Sequence, residues 1–291
     1  MLRDRFRPIV QTAWSGEGAD ALIALHARRS HESIVRFHAE AAGRRMAVVL
    51  TGTDLYRDLP ESRAAAASLD LADRIVVLQD DAPSLLREPW RRKAQVIFQS
   101  ARLLASRRKP GGRLDCVVVG HLREEKDPRT LFEAVRRIPQ GLPIRVRHIG
   151  APLDPALGEA ARELAASDPR YRYVGALPHG LARAALGSAH VLVHPSVVEG
   201  GANVIVEAVT AGTPVIASRI SGNVGMLGAD YPGFFEPRDA AGLASCIVRA
   251  LQDPAYLASL RSACARRKAL FRPQAEATAV RRLAADLVAG R

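Results

Sequence analysis

Residues 194–218 read HPSVVEGGANVIVEAVTAGTPVIAS. This stretch holds two acids, Glu199 and Glu207, around a Gly-Gly-Ala-Asn turn. The short apolar run before the turn predicts a buried strand, and the residues after it predict a helix followed by a second strand. In open parallel sheets, ligands bind at the carboxyl ends of the strands. The stretch therefore predicts a strand-helix-strand unit with a polar binding site at its turn.

The same alternation of strand and helix extends over the rest of the chain. Short apolar runs that end in polar or turn residues predict strands, and Ala-rich segments between them predict helices. The predicted strands cover 20–26, 46–51, 74–79, 94–100, 114–120, 144–150, 171–177, 190–196 and 214–218. The predicted helices include 127–138, 155–166, 179–188, 202–211 and a long amphipathic tail at 273–291. The fold class is therefore α/β, with two Rossmann-like doubly wound domains.

A charged Pro-Gly-Gly break, ASRRKPGGR at 105–113, predicts the linker between these domains. The first domain is predicted over 1–108 and the second over 113–272, with the tail 273–291 packing back on the first. The segment MLRDRF reads as the end of a helix, and PIVQTAW (8–14) reads as a strand directly after it. We therefore expect a truncated first domain that lacks its opening strand and Gly-rich loop; the alternative is a domain that is simply small.

The composition argues against several classes of protein. The chain has 291 residues, 48% of them hydrophobic, which is enough for a large core. No run of about 18 apolar residues occurs, so we expect no membrane insertion, and the N-terminus does not resemble a signal peptide. The three cysteines, Cys116, Cys246 and Cys264, are far apart and form no CxxC pair. We therefore expect neither a disulfide framework nor a zinc site, and a cytoplasmic location.

The charge balance is strongly basic, with a net charge of +12 and a pI of about 10.5. Such a balance favours anionic partners such as phosphates, although an Arg-rich composition alone would also produce it. Only 5% of the residues are aromatic, and no basic segment is interleaved with aromatic residues for base stacking. We expect small-molecule substrates and no nucleic acid. The residues leave the oligomeric state open, and a homo-oligomer is compatible with them.

The turn in the opening stretch has the parts of an anion and sugar site. Gly200 and Gly201 let the backbone approach a ligand, and the predicted helix that begins near Asn203 offers free amides to a phosphate. Carboxylates such as Glu199 and Glu207 can accept hydrogen bonds from vicinal sugar hydroxyls. The alternative is a helix-terminal glutamate favoured by the helix dipole, together with an unrelated loop glutamate.

A second polar segment, VVVGHLREEKDP at 117–128, follows another predicted strand. The strand ends at Gly120, and His121, Arg123 and Lys126 come before the next helix. Cations at this edge of a sheet can neutralise a diphosphate, and a lysine can stabilise the charge of a departing nucleoside diphosphate. The alternative is a solvated charged loop.

Together these segments resemble the family 4 glycosyltransferases of the GT-B fold. EGGANVIVE resembles the E-x7-E motif of that family, and GHLREEKDP resembles its G-R-L-x-x-x-K-G segment. YVGALPHG, HPSVVEGG and AGTPVIAS occur in the family's order, and the resemblance extends from about residue 18 onward. It implies two domains facing across a cleft, with the acceptor on the first and the nucleotide sugar on the second. Two departures are His121, where the family has Arg, and Gly-Gly-Ala-Asn, where it has Gly-Phe-Gly.

The resemblance also implies roles for individual residues. Lys126 would bind the diphosphate with help from Arg123 or His121, Glu207 would bind the ribose, and Glu199 would hold the donor sugar. The implied donor-binding residues are Gly120, His121, Arg123, Lys126, Gly200, Gly201, Ala202, Asn203 and Glu207.

Several other strings resemble more narrowly the selenosugar synthases of selenoneine biosynthesis. They are LIALHARRS (22–30), LTGTDLYRDLP (50–60), VVLQ (76–79), VIFQSA (96–101), GGANVIVEA (200–208) and ISGNVGMLGADYPGFF (220–235). This resemblance implies selenophosphate as the acceptor and a UDP-sugar, typically UDP-N-acetylglucosamine, as the donor. Because selenophosphate is already a strong anionic nucleophile, the site needs cations that position a phosphate more than it needs a strong base.

The first domain offers residues for that acceptor. The candidate catalytic residues are Lys126, Glu199, His26 and Asp54, and the acceptor-side candidates are Arg28, Arg29, Thr53 and Arg57. His26 either donates a hydrogen bond to a ligand or is a satisfied strand-end histidine. Asp54 either contacts a sugar hydroxyl or caps the following helix. The segment around Gly222 and Gly225 either lines the donor site or is a flexible loop.

No cofactor and no metal are expected, because no cluster of His and Cys has ligand spacing and the DxD pattern is absent. Two other functions remain open. An ordinary family 4 glycosyltransferase would pass the sugar to a hydroxyl, and its basic first domain could lie on an anionic membrane. A non-catalytic or epimerase-like protein would bind the sugar nucleotide without forming a transfer product.

Overall fold

The computed structural model describes residues 1–104, 109 and 111–290, which form two compact units. Unit 1 comprises Met1–Ser100 and Pro273–Arg291, and unit 2 comprises Ala101–Arg272. The strands are β1 Ala21–Leu25, β2 Arg45–Val49, β3 Arg74–Val77, β4 Ala94–Val96, β5 Leu114–Val119, β6 Ile144–Ile149, β7 Tyr171–Gly175, β8 Val191–His194, β9 Val215–Ser218 and β10 Phe234–Phe235. The helices are α1 His31–Glu40, α2 Leu59–Glu61, α3 Arg63–Leu71, α4 Glu88–Arg91, α5 Pro128–Arg137, α6 Pro155–Ser167, α7 His179–Ser188, α8 Asn203–Thr210, α9 Ser221–Leu227, α10 Ala240–Gln252, α11 Pro254–Arg267 and α12 Pro273–Val288.

Unit 1 is built on a parallel sheet whose strands follow the order of the chain, β1-β2-β3-β4. One face packs against α1 and α3, where Phe37 and Leu69 are fully buried. The other face packs against α12, through Leu283 and Leu287. Because helices cover both faces, the strands are apolar on both sides and read as the continuous runs seen in the sequence.

Unit 2 is built on a six-stranded parallel sheet in the order β10-β9-β8-β5-β6-β7. The chain adds β6 and β7 on one side of β5, then returns to place β8, β9 and β10 on the other side. Strands β5 and β8 are therefore neighbours whose following loops belong to opposite halves of the unit. This is the topological switch point of a doubly wound sheet, where ligands bind.

Several helices of unit 2 begin at an aspartate that is followed by a proline. Asp127, Asp154 and Asp253 each precede a proline at the first helical position, and each side chain accepts a backbone N–H of the first turn. A carboxylate satisfies one of the free amides there, and proline has no amide to leave unpaired. Within the described part of the chain, no helix has both the length and the apolarity needed to cross a membrane.

The prediction of an α/β fold with parallel sheets is confirmed, and the nine strands predicted from 20–26 to 214–218 are present with shorter bounds. The strand predicted at 8–14 is wrong, because this segment is irregular: Val10 is 94% exposed, and Trp14 packs on Phe37 of α1. The glycine-rich segment after Ile220 is a helix, α9, and not a flexible loop. In the predicted linker 105–113, residues 105–108 and 110 lie outside the described residues.

Candidate functional site

The switch point of unit 2 brings together two loops that are far apart in sequence. One loop follows β5 and runs from Gly120 to Asp127; the other follows β8 and runs from Pro195 to Ala202. The backbone N–H of Val197 donates to the carbonyl oxygen of Glu125 at 2.9 Å, so the two loops are hydrogen-bonded to each other. Their side chains therefore share one small volume at the carboxyl edge of the sheet.

A cluster of one acid and two bases occupies this volume. The Nζ atom of Lys126, on the first loop, donates to Oε1 of Glu199, on the second. Nε2 of His194, the last residue of β8, lies 3.1 Å from the same oxygen. The side chains of His194 and Glu199 are 3% and 11% exposed, and that of Lys126 is 21% exposed, so the lysine reaches the solvent most.

The charge of Glu199 is strongly stabilised within this cluster. Burial alone would raise the pKa of its carboxyl, but the hydrogen bond and charge of His194, followed by the charge and hydrogen bond of Lys126, outweigh it. The net result is a pKa well below the ordinary value of a glutamate. Glu199 is therefore an anion over the physiological pH range and can act as an acceptor for hydroxyl groups, not as a proton donor.

The backbone behind Glu199 is fixed by a close approach from α9. A Cβ atom added to Gly222 would lie 2.0 Å from the carbonyl oxygen of Glu199, so only glycine fits at this point. The sequence predicted such a role for Gly200 and Gly201, but neither is among the described glycines with a positive φ. The constraint that holds this loop comes from the neighbouring helix.

The side chains beneath the loop are buried and hydrogen-bonded. The hydroxyl of Ser218 donates to the carbonyl oxygen of Ser196, and Nδ2 of Asn223 donates to the Ser218 carbonyl at 3.0 Å. All three residues are fully buried. The second loop is thus held from below by β9 and α9.

A buried histidine supports the first loop in a similar way. Nε2 of His148, on β6, lies 3.2 Å from the carbonyl oxygen of Gly120, and its Nδ1 lies 2.8 Å from the hydroxyl of Tyr171. Burial lowers the pKa of His148 to about 4, although the hydrogen bond to Gly120 acts in the opposite direction. His148 is therefore neutral at physiological pH and holds the loop by hydrogen bonds without charge.

Glu207 lies one turn inside α8 and is partnered from α7. Nε2 of His179 lies 2.5 Å from its Oε1, and Nε of Arg183 lies 3.8 Å from the same atom. The Glu207 side chain is 14% exposed, whereas His179 is 75% exposed and can move away from it. No side chain of a described residue caps the N-terminus of α8 at Ala202, so the amides that begin at Asn203 can bind an anion.

The remaining predicted donor residues lie on the two loops with more solvent exposure. Nδ1 of His121 accepts the backbone N–H of Ala151 at 3.0 Å, which ties its ring to the loop after β6. Arg123 is about half exposed, and its Nε lies 4.0 Å from Glu125. The structure thus places the predicted donor residues on the two loops of the switch point and on α8.

The predicted acceptor-side residues form a separate cluster in unit 1, after β1 and β2. Asp54 is fully buried, and its Oδ1 lies 2.8 Å from Nδ1 of His26. Nε of Arg28 lies 3.2 Å from Oδ1 of Asp58, a buried residue that the sequence did not single out. Arg29 and Arg57 are exposed, and Thr53 is half-buried.

Four polar residues at these two clusters were missed from the sequence. His194 is the last residue of a strand and Asp58 lies on a helical turn, so the sequence around each predicts only secondary structure. His179 and Arg183 lie on α7, and only the packing of α7 beside α8 brings them to Glu207. A signal was present for His194 alone, because the carboxyl end of a parallel strand is where site residues are expected.

Two α/β units, each built on a parallel sheet, give this chain a GT-B-like fold. Residues 113–253 match the family Glycosyl transferases group 1. The structure is similar to sucrose-phosphate synthase from Thermosynechococcus elongatus, with a TM-score of 0.76 and 23% identity over 94% of this chain and 74% of that one. It is also similar to Anabaena Alr3699/HepE in complex with UDP, with a TM-score of 0.74 and 16% identity over 91% of this chain and 79% of that one.

Two curated relatives match in sequence. Glycogen synthase of Mycobacterium tuberculosis is 33% identical over 170 residues, which cover 56% of this chain and 40% of the relative. The 2-deoxystreptamine glucosyltransferase of Streptomyces kanamyceticus is 34% identical over 147 residues, 50% of this chain and 38% of the relative. The chain thus spans about two fifths of the length of the curated relatives it matches.

Proposed function

We propose that this protein is a UDP-sugar-dependent glycosyltransferase whose donor binds at the switch point of unit 2. The observation that carries the proposal is the largely buried cluster of Lys126, His194 and Glu199 beside the uncapped end of α8. Cations and helix amides suit a diphosphate, and carboxylates suit sugar hydroxyls, so the two halves of a nucleoside diphosphate sugar match the two kinds of group. The group 1 match of residues 113–253 and the UDP in a structure of the same fold support the choice of ligand.

Lys126 has the central chemical role in this proposal. Its ammonium group is held by Glu199 and is partly exposed, so a diphosphate that enters the site competes with the carboxylate for it. As the bond between the anomeric carbon and the diphosphate oxygen breaks, UDP leaves with the electron pair, and Lys126 stabilises the new negative charge. Glu199, released from the lysine but still beside His194, accepts hydrogen bonds from the sugar. Glu207 binds the ribose hydroxyls, while His179, which is mostly exposed, moves aside.

Selenophosphate is the acceptor that the sequence strings of unit 1 favour, above all LTGTDLYRDLP at 50–60. In that reaction a lone pair of selenium forms the bond to the anomeric carbon as the bond to UDP breaks, and the selenium then carries both the sugar and the phosphoryl group. Arg28 and Arg29, which are exposed beside His26, would position the phosphoryl group.

A hydroxyl acceptor is the second candidate, and the relatives favour it. Glycogen synthase and 2-deoxystreptamine glucosyltransferase are named for reactions without selenium. The donor site proposed above is the same for both acceptors, so only the acceptor separates the two candidates.

The test is UDP release from UDP-N-acetylglucosamine and from UDP-glucose, with selenophosphate, glycogen, 2-deoxystreptamine or no acceptor, and with the products identified by mass. Selenophosphate-dependent release with a selenium-bearing sugar supports the first candidate, and release that depends on a hydroxyl compound supports the second. Binding of UDP measured by calorimetry, without release under any condition, would leave a sugar-nucleotide binder and overturn both. Lys126→Met is the matched negative control in each arm.

A further inference from the structure

The cluster after β1 and β2 contains three buried residues of the types that bind metal ions in proteins. His26, Asp54 and Asp58 each offer one ligand atom, and these atoms lie within 4.8 Å of one another. The residues are 7%, 0% and 4% exposed. They come from two loops, His26 from the end of β1 and the two aspartates from one π-helical turn, Asp54–Asp58, after β2. Such π-turns are rare and frequently occur at functional sites.

Asp54 uses both of its oxygens for donors of the protein. Its Oδ1 accepts the backbone N–H of Ala27 at 2.8 Å, and its Oδ2 accepts the N–H and the hydroxyl of Thr51 at 2.7 and 2.9 Å. The same Oδ1 lies 2.8 Å from Nδ1 of His26. Asp54 therefore fixes the loops and orients the imidazole, and it has no oxygen left over to serve as a metal ligand.

This contact also determines which nitrogen of His26 is free. A carboxylate oxygen at 2.8 Å assigns the proton to Nδ1, since the Arg29 amide lies farther from that atom, at 3.4 Å. Nε2 then presents its lone pair. His26 is held in this orientation by a backbone with φ of +75°, a left-handed conformation that few non-glycine residues adopt.

The two atoms that remain, Nε2 of His26 and Oδ2 of Asp58, face each other at 3.5 Å. Both are buried, and neither has a hydrogen-bond partner among the residues that the structure describes. Two buried lone-pair atoms at this distance repel each other unless a positive species lies between them. Nε of Arg28 lies 3.2 Å from the other oxygen of Asp58, Oδ1, so this ion pair does not involve Oδ2.

We propose that Nε2 of His26 and Oδ2 of Asp58 bind a divalent transition-metal ion of the zinc type. Two bonds of about 2.1 Å at a tetrahedral angle separate their donor atoms by about 3.4 Å, close to the 3.5 Å found here. A carboxylate that holds the second nitrogen of the histidine, as Asp54 does, is the usual support of a metal-bound imidazole. Water or the oxygen of an anionic ligand completes the coordination shell.

The local charge fits a weak to moderate site. Two carboxylates and one guanidinium give a net charge of −1 around a neutral His26, which a divalent ion converts to +1. Arg28 lowers the affinity of the site for a cation. The alternative positive species is a proton on Nε2, which would donate to Oδ2 of Asp58 and compete with a metal ion for the same nitrogen.

The experiment is a titration of the tag-free full chain with Co²⁺ alone, in the absence of any sugar nucleotide, followed by visible d–d absorption and by equilibrium dialysis. We expect one ion per chain. His26→Asn and Asp58→Asn should each weaken binding at least tenfold, and Arg28→Gln should strengthen it several-fold. Asparagine tolerates positive φ at position 26, so the backbone is preserved. His38→Asn, at an exposed position on α1, is the control and should bind as the unaltered protein does.

Less than one tenth of an ion per chain would overturn the proposal, and so would binding that both substitutions leave unchanged, since the ion would then bind elsewhere. If His26→Asn fails to fold by circular dichroism, Asp58→Asn decides, because it keeps the shape of the side chain while it removes the charge and one acceptor oxygen. Since no UDP-sugar is present, the result is independent of the glycosyltransferase assay.

Discussion

Each sheet of this protein carries a polar cluster in the loops that follow its strands, but the acidic side chains of the two clusters are paired differently. In unit 2 the cluster lies at a topological switch point, and the largely buried Glu199 is paired with Lys126 and His194. In unit 1 the described strands follow chain order without a switch point, and Asp58 keeps one buried oxygen without a described partner.

The difference shows how a buried acid can be used. Glu199 has its counter-charges in place, so it stays ionised and can exchange its lysine for a ligand. Asp58 has one oxygen paired to Arg28 and one facing His26, an arrangement that leaves room for a cation. A fully paired acid with one partner that reaches the solvent, as Lys126 does, suits substrate exchange, and a half-paired buried acid suits a bound ion.

The substitution with the largest expected effect removes Lys126 from the cluster of unit 2. Lys126→Met should lower kcat/KM for the UDP-sugar about 1000-fold, because it removes the charge that stabilises the leaving diphosphate. Arg129→Gln, which changes a 60% exposed cation on the following helix, should have little effect. Steady-state kinetics of UDP release measures both variants. An equal loss of kcat/KM in the two would mean that the net charge of the protein matters and not the position of Lys126.

The next prediction compares the two aspartates of unit 1. Asp54→Asn should lower the free energy of unfolding by about 3 kcal/mol, because the buried oxygens of Asp54 accept hydrogen bonds from two loops. Asp58→Asn should cost less than about 1 kcal/mol, since one of its oxygens has no described partner to lose. Urea unfolding in the presence of a chelator measures both, and a similar loss in the two variants would mean that Asp58 is also a structural residue.

The neutral histidine of unit 2 predicts the effect of pH on stability. Burial lowers the pKa of His148 from 6.5 to about 4, so between these values the unfolded chain binds a proton that the folded chain does not. Stability therefore falls as the pH decreases through this window, by about 3 kcal/mol for this group. His148→Gln should flatten that dependence in urea titrations at pH values from about 7 to 4. An unchanged slope would show that other groups cause the acid sensitivity.

The smallest expected effect concerns the backbone behind Glu199. Gly222→Ala should cost about 2 kcal/mol and displace the loop, because its Cβ would meet a carbonyl oxygen. Gly120→Ala is the matched control on the first loop, where the nearest atoms are side-chain carbons of Lys126 at 3.7 Å. Thermal unfolding of the two variants is the measurement, and a tolerated Gly222→Ala would mean that the loop moves freely.

Much of the fold was predictable from the sequence, because strands covered on both faces leave continuous apolar runs such as LDCVVVG at 114–120. The two-residue strand β10 is too short to leave such a signal. Helix α9 was missed because its two glycines, Gly222 and Gly225, have low helix propensity. Gly222 is required there by the close approach to Glu199, a tertiary contact that periodicity does not report.

The candidate donor site was partly predictable, because Lys126 and Glu199 follow strands that parallel pairing brings together. The pairing of His194 with Glu199 was not predictable, since it depends on how the turn after β8 folds back on its own strand. In the cluster of unit 1, the sequence named His26, Asp54 and Arg28 as candidates, but it gave neither Asp58 nor the contacts among these residues. The cluster's ligand atoms come from two loops, and a π-helical turn determines the directions in which Asp54 and Asp58 point. No sequence motif of fixed spacing therefore identifies the cluster.

The position of helix α12 at the end of the chain has a consequence for folding during synthesis. It covers one face of the first sheet but follows the whole of unit 2 in the chain, so the ribosome makes it after both sheets. Until then Ala47, Val76 and Ile97 on that face have no helix to pack against. We expect unit 2 to reach its native state first during translation. The first sheet, which is made earlier, stays uncovered on one face until α12 is made, and it depends on chaperones to avoid aggregation.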